Sequence, residues 1–136
     1  MISELQSYTQ GIICHIMHKL VILIEQIENE AQFDEMWPEF LHISERMPGL
    51  KKEATCRVEN NLFGAFQPAI MHEIFFDSLD DLHQAMSSPE GRIAGELLQR
   101  MTDGRLVLFI ADHKEDDIDN IRSYQQKDSD ERKPAT

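Results

Sequence analysis

The chain contains little cysteine. Cys14 and Cys56 are its two cysteines among 136 residues, and they lie in dissimilar sequence contexts. Two such residues provide neither a disulfide framework nor the Cys-x-x-Cys spacing of a structural metal site. We therefore expect reduced thiols, with Cys56 packing as a small apolar side chain.

Positive charge and long apolar runs are scarce as well. Thirteen Lys and Arg residues stand against 25 Asp and Glu residues, which gives a net charge of -12. Without a local basic patch, such a chain repels nucleic acids and anionic membrane surfaces. No apolar run approaches the roughly 20 residues of a membrane-spanning helix, and the N-terminus lacks the features of a secretory signal. These absences predict a soluble cytoplasmic protein that has neither a nucleic acid nor a membrane as its partner.

The apolar segments predict one α+β domain whose elements follow the order β-α-β-β-α-β. Predicted strands span residues 18–26, 51–59, 69–76 and 105–111, and helical segments follow the first and the third of them. We assign residues 1–16 to a dispensable N-terminal extension, 17–113 to the folded domain and 114–136 to a polar tail. In that tail, Ile118 and Ile121 leave a short docked helix open as the alternative to a flexible, solvated segment.

Capping residues predict where the helices begin. Asn29, Ser78 and Ser88-Pro89 are preferred N-cap sequences, because the side-chain oxygen accepts a backbone N–H that the first turn leaves free. Pro38 is expected to bend or restart the first helix, and Pro48-Gly49 to end it. Helical spacing predicts buried stripes of Phe33, Met36, Trp37, Phe40, Ser44 and Met47, then Leu79, Leu82 and Met86, and then Ile93, Leu97 and Met101.

This order of elements is that of the ferredoxin-like fold, a four-stranded antiparallel sheet with the helices on one face. Alternate positions of a strand face opposite sides of the sheet. The positions assigned to the helix-covered face are almost wholly apolar: Leu20, Ile22, Ile24, Ala54, Cys56, Val58, Ile70, Ile74, Phe76, Leu106, Leu108 and Ile110. The positions assigned to the second face are Val21, Leu23, Glu25, Thr55, Arg57, Met71, Glu73, Phe75, Arg105, Val107 and Phe109. Since the second face is too apolar to stay exposed, we predict a homodimer, a dimeric α+β barrel that encloses a ligand cavity.

The segment FFDSLDDLHQAMSSPEG (Phe75 to Gly91), preceded by His72-Glu73, resembles the EthD family of dimeric α+β barrel proteins. Phe33 to Trp37 and the turn Met47-Pro48-Gly49-Leu50 resemble the first half of that family, so the likeness extends over about Met17 to Lys114. The resemblance implies a homodimer with a pocket on the inner sheet face. In some members of the family it also implies the degradation or tailoring of small organic molecules.

None of the histidines discussed here is favoured as a catalytic or metal-binding residue. The family often has a histidine followed by proline on the first helix, but Phe40 holds that position here, and His42 lies on the opposite side of the helix. His72 falls on the helix-covered face, where a hydrogen-bonded histidine of the core or of the sheet edge is favoured over a catalytic one. His83 is expected at the surface, and His15-x-x-His18 is disfavoured as a zinc site because it straddles a predicted strand start.

Glu73 is the strongest candidate for chemistry. It lies in the middle of a predicted central strand, between Met71 and Phe75, and would face the proposed cavity. A carboxyl group desolvated there could act as a general base or, when protonated, donate a hydrogen bond to a ligand. The alternative is an ion pair with Arg57 or Arg105, which would give Glu73 a structural role.

The other residues predicted to line the pocket share the second face. Arg57 and Thr55 could hold a ligand carboxylate or carbonyl oxygen, or they could contact the partner subunit instead. Besides Glu73, the predicted lining is Glu25, Thr55, Arg57, Met71, Phe75, Arg105 and Phe109. We predict no metal and no cofactor; haem or flavin, used by related barrels, is the alternative, but no residue clearly supplies an iron ligand.

Two interpretations follow from these predictions. In the first, the protein is a homodimeric enzyme or accessory protein that binds a small, largely apolar organic molecule in the inner cavity, with Glu73 as acid or base. In the second, the inner faces close tightly on each other, and the protein is a structural or regulatory homodimer without catalysis.

Overall fold

The computed structural model describes residues 15–116, together with residues 118, 119 and 122. Nearly all of the predicted N-terminal extension, and most of the predicted tail including Ile121, lie outside these residues. Residues 17–112 form one compact unit. No helix in the described part of the chain is long and apolar enough to cross a membrane.

The strands and helices follow the predicted order. They are β1 (His15–Glu25), α1 (Glu30–Ser44), β2 (Leu50–Arg57), β3 (Pro68–Phe76), α2 (Leu79–Ser87), α3 (Pro89–Thr102) and β4 (Leu106–Glu115). The sheet has the strand order β2-β3-β1-β4, and both β1 and β2 run antiparallel to β3. The predicted ferredoxin-like fold is therefore confirmed, with β3 inside the sheet and β2 at an edge.

The predicted helix starts are confirmed at all three capping residues. The bonds run from Gln32 N to Asn29 Oδ1, from Asp81 N to Ser78 Oγ and from Gly91 N to Ser88 Oγ, each at 3.1 Å. Pro38 lies inside α1 without ending or restarting it, and α1 ends at Ser44, earlier than predicted. Gly49, with a φ of +78°, then turns the chain into β2, a conformation that glycine adopts without strain.

The core lies between one sheet face and the helices. The strands contribute Leu20, Ile22, Ile24, Ile74 and Phe76. The helices and the turn after α1 contribute Phe33, Phe40, Met47, Leu82, Ala85, Ala94, Leu97, Leu98 and Met101. The stripe predicted on α1 is confirmed, but on α2 and α3 it is rotated. Met86 and Ile93 are 38% and 51% exposed, whereas Ala85 and Ala94 are buried. The junction between α2 and α3 is tight, because the carbonyl of Ala85 lies too close to Gly91 to leave room for a side chain there.

The pairing of residues between neighbouring strands shows which side of the sheet each residue faces. The predicted sides are correct for β1 and β3 and inverted for β2. Thr55 pairs with His72, and Arg57 pairs with Ile70, so both lie on the helix-covered face. Ala54 pairs with Glu73 on the second face, and Cys56, on the same face, is exposed instead of packed in the core. The prediction placed the apolar residues inside, but β2 is an edge strand, and its helix-covered side carries a polar network instead.

Candidate functional site

Glu73 forms an ion pair on the second face of the sheet, but with neither of the expected arginines. Lys19 Nζ donates to Glu73 Oε1 at 2.6 Å, and the two side chains are 16% and 15% exposed. Lys19 pairs in register with Phe75, and Val21 pairs with Glu73, so the ammonium reaches diagonally, two residues along the strand, to the carboxylate. Because both charges are largely withdrawn from water, this contact resists screening more than a surface pair would.

Apolar side chains surround this pair. Val21 and Phe75 are buried, and Leu23 and Met71 are half-buried on the same face. The ammonium groups of Lys19 and Lys52 lie 5.5 Å and 4.5 Å from the centroid of the Phe75 ring, within cation–π range. The second face thus contains a neutral pair of opposite charges within an apolar strip.

The remaining predicted lining residues do not gather around Glu73. Arg105 Nε lies 3.6 Å from Glu25 Oε2, and Arg105 Nη1 donates to Glu28 Oε1 at 2.5 Å, at the end of the sheet where β1 leaves it. These residues border a groove of about 270 Å³ beside the ends of α1 and α3. Phe109 lies on β4 and is 44% exposed.

Thr55 and Arg57 lie on the helix-covered side, where Thr55 takes part in a different arrangement. The ring of His72 is fully buried, its Nδ1 lies 2.9 Å from Thr55 Oγ1, and its Nε2 lies 3.1 Å from Glu53 Oε1. Ser44 Oγ donates to the same carboxylate oxygen of Glu53 at 2.7 Å. These four residues, Ser44, Glu53, Thr55 and His72, which we call the relay, join α1, β2 and β3.

The hydrogen bonds of the relay favour the ionised form of Glu53. Burial raises the pKa of Glu53, but hydrogen bonds from His72 and Ser44 and the charge of His72 lower it by more, so the pKa lies below its ordinary value. An ionised Glu53 accepts the Nε2–H of His72. When the single ring proton is on Nε2, Nδ1 is the acceptor, and Thr55 donates its hydroxyl proton to it.

Sequence reasoning placed His72 correctly, as a hydrogen-bonded core histidine, and missed the relay as a unit. Glu53 and Thr55 stand two residues apart on β2, a spacing that puts both on one face of a strand. That polar alternation was the available signal. The apolar alternation of Ala54 and Cys56 predicts the opposite arrangement, with Thr55 on the second face, and this prediction is wrong.

Protonation of Glu53 should destabilise the fold in acid. A carboxyl whose folded pKa is lowered stabilises the protein above its ordinary value of 4.5, and that contribution is lost as the pH falls through the folded pKa. Denaturant unfolding between pH 7 and pH 3 should therefore show a smaller loss of stability in Glu53→Gln than in the wild type. Equal losses in the two proteins would contradict this assignment.

Sheet order, antiparallel pairing and a helix-covered face define a ferredoxin-like α+β protein. Among solved structures, the chain is similar to an EthD (ethyl tert-butyl ether D) family protein from Bacillus halodurans C-125, with 29% identity and a TM-score of 0.64, over 70% of this chain and 96% of that chain. The fold is therefore EthD-like, as the segment Phe75 to Gly91 predicts.

More distant structures share the fold. A dimeric ferredoxin-like protein of unknown function from Thermobifida fusca is 14% identical, with a TM-score of 0.55 over 71% of this chain and 90% of that one. A hydroxynitrile lyase from Passiflora edulis is 12% identical, with a TM-score of 0.57 over 76% and 95%. No family model matches the chain, and no curated protein sequence matches it.

Proposed function

We propose that this protein is a homodimer that binds a small, largely apolar organic molecule between two copies of the second sheet face. The observation that carries the proposal is the Lys19–Glu73 pair, held at 2.6 Å within an apolar strip. Ligand sites commonly combine an apolar lining with a small number of polar groups that fix orientation. The second face has that composition.

Apolar exposure on β4 supports association between copies. Val107, Leu108, Phe109 and Ile110 form a consecutive run on this edge strand, and each is 40–49% exposed. Runs of exposed apolar residues of this kind mark interaction surfaces and, on sheet edges, invite pairing with a second chain. The Thermobifida fusca protein of the same fold is described as dimeric, which agrees with this proposal.

The charge balance of the pair favours an uncharged ligand. Lys19 can donate a hydrogen bond to a ligand carbonyl or hydroxyl oxygen, and Glu73 can accept one or remove a proton. Because the two charges compensate each other, a charged ligand would leave one charge unpaired in an apolar setting, at a cost. Phenols, lactones and similar neutral polar molecules therefore suit this face, with Glu73 as the acid or base where the ligand reacts.

The second candidate is a structural or regulatory homodimer without catalysis. It is favoured by the same ion pair, because a carboxylate already bound to Lys19 has its charge compensated without any ligand. The two candidates agree on the dimer and differ on whether the second faces leave a cavity.

Light scattering during size-exclusion chromatography tests the dimer. The wild type should elute with about twice its chain mass of 15.8 kDa. Phe109→Glu should dissociate it, since a charge would be buried without a partner at the interface. The matched control is Ile93→Glu, which changes a similarly exposed apolar residue on α3 and should leave the dimer intact. A wild type that stays at the monomer mass at micromolar concentration would contradict the proposal.

Thermal shifts with a panel of neutral aromatic alcohols and lactones test the ligand. At least one compound should raise the unfolding temperature of the wild type, and Glu73→Gln should lose most of that shift while it remains a dimer. If Glu73→Gln changes neither the unfolding temperature nor the ligand shifts, Glu73 has neither role. If no compound shifts the unfolding temperature of the wild type, the structural candidate stands.

A further inference from the structure

We propose a second site on the helix-covered side of the sheet, in which Thr55 is a hydroxyl nucleophile activated by His72 and oriented through Glu53. The site would transfer an acyl group from an ester to water. It is separate from the cavity proposed above, because the relay and Glu73 lie on opposite faces of the sheet.

The geometry of the relay is that of an activated nucleophile. Serine and threonine become nucleophilic when the hydroxyl lies within hydrogen-bond distance of an imidazole and a carboxylate holds that imidazole in place. Here the hydroxyl-to-imidazole distance is 2.9 Å and the imidazole-to-carboxylate distance is 3.1 Å. Ser44 holds the same carboxylate from α1, which fixes the orientation of Glu53.

Burial and exposure are distributed as this role requires. The base, His72, is fully buried and packs edge-on against Trp37 and Phe40, with ring centroids 5.3 Å and 5.8 Å away. Thr55 is exposed, and it lies on the edge strand β2, where a substrate can approach it from solvent.

A groove of about 390 Å³ lies along the same two strands and suggests the substrate class. Its floor includes Arg57 and Ile70, which pair with each other two positions along the strands from Thr55 and His72, a distance of about 7 Å. Phe33 provides an aromatic wall, and the lining also contains Arg57 and the two carboxylates of Glu30 and Asp34. An uncharged ester with an apolar acyl chain fits these surroundings, with the chain along Phe33 and Ile70.

The reaction balances with water as the second substrate. Thr55 Oγ1 forms a bond to the ester carbonyl carbon while its proton moves to His72 Nδ1. The carbon–alkoxy bond breaks, and the leaving alkoxide takes that proton and departs as the alcohol. Water then attacks the acyl-threonine, His72 accepts a proton from the water and returns it to Thr55 Oγ1, and the carboxylic acid leaves.

The test uses the full chain with p-nitrophenyl butyrate. The wild type should release a burst of p-nitrophenolate that approaches one equivalent per chain, and mass spectrometry should place the butyryl group on Thr55. Thr55→Val, which keeps the shape and removes the hydroxyl, should lower the burst rate by ~100-fold or more, whereas Thr55→Ser should retain it. Ser87→Ala removes another exposed hydroxyl and serves as the control.

The position of the butyryl group separates catalysis from a structural role. In Thr55→Ser the butyryl group should be found on the same position of the chain. Butyrylation confined to lysines, or a burst in the wild type that Thr55→Val leaves unchanged, would overturn the proposal. Neither result would bear on the cavity proposed at Lys19 and Glu73, which is tested by neutral ligands and Glu73→Gln.

Discussion

Replacing His72 with alanine should lower the free energy of unfolding by about 3–5 kcal/mol, the range found when large buried rings are truncated. The ring is fully buried and meets Trp37 and Phe40 edge-on, so its removal leaves a cavity in the core. Urea or guanidinium titration followed by circular dichroism would measure the change. Among the histidines whose side chains the structure describes, His18, His42, His72, His83 and His113, His72 alone is fully buried.

The polar part of that loss can be isolated with His72→Phe. Phenylalanine refills most of the volume but leaves Glu53 bound only to Ser44 and removes the acceptor of Thr55. Unpaired buried polar groups cost about 1–3 kcal/mol, so this variant should fall between the wild type and His72→Ala.

His42 provides the matched control. It is an exposed histidine on α1, 3.2 Å from Glu45 and within hydrogen-bond distance of Arg46. His42→Ala should change the unfolding free energy by no more than about 0.5 kcal/mol, as surface substitutions usually do. If His72→Ala were as mild as His42→Ala, the relay would contribute nothing to the stability of the fold.

The fold could be predicted because its signals are local. Asn29, Ser78 and Ser88 cap helices through contacts three residues away, and alternation along β1 and β3 is strongly apolar on the helix-covered face. Strand β2 lacks this apolar alternation on its helix-covered face. It lies at the edge of the sheet, where burial is partial, and its register is set by its pairing with β3 and not by its own sequence pattern.

The candidate site was harder to predict because it depends on which strands are neighbours. Glu73 was correctly placed inside the sheet, yet its partner is Lys19 of β1, a residue that only the β1–β3 register identifies. The relay likewise joins residues of three elements. Each of its members looked ordinary in the sequence, and the contact between Thr55 and His72 exists only because β2 is in its observed register.

Gly91→Ala should be the most disruptive small substitution in the helical layer. A Cβ atom at Gly91 would lie 2.2 Å from the carbonyl oxygen of Ala85 and 2.8 Å from that of Met86, both of which are backbone atoms. The oxygen of Ala85 also accepts hydrogen bonds from the backbone N–H and the hydroxyl of Ser88 at 3.2 Å and 2.6 Å. Adding a methyl group therefore forces α2 and α3 apart and breaks the bonds that join them.

The expected loss is about 2–4 kcal/mol in unfolding free energy, from overpacking and from the hydrogen bonds of Ser88. Gly95→Ala is the control within the same helix. A Cβ atom there meets nothing within 4 Å, so alanine should stabilise α3 by up to about 1 kcal/mol through its higher helix propensity. Thermal and denaturant unfolding of both variants would measure the contrast, and a Gly91→Ala protein as stable as the wild type would contradict the close junction.

This contrast gives the Ser-Pro-Glu-Gly segment a physical explanation. Ser88 ends α2 and begins α3 with one side chain, which accepts the N–H of Gly91 and donates to the carbonyl of Ala85. Pro89 occupies the first helical position, where its missing N–H costs nothing. Glycine three residues after the serine is then required because the backbone of α2 occupies the space that any side chain would need. A sequence that keeps Ser88 and Pro89 but carries alanine at position 91 should therefore lose the junction despite retaining both capping signals.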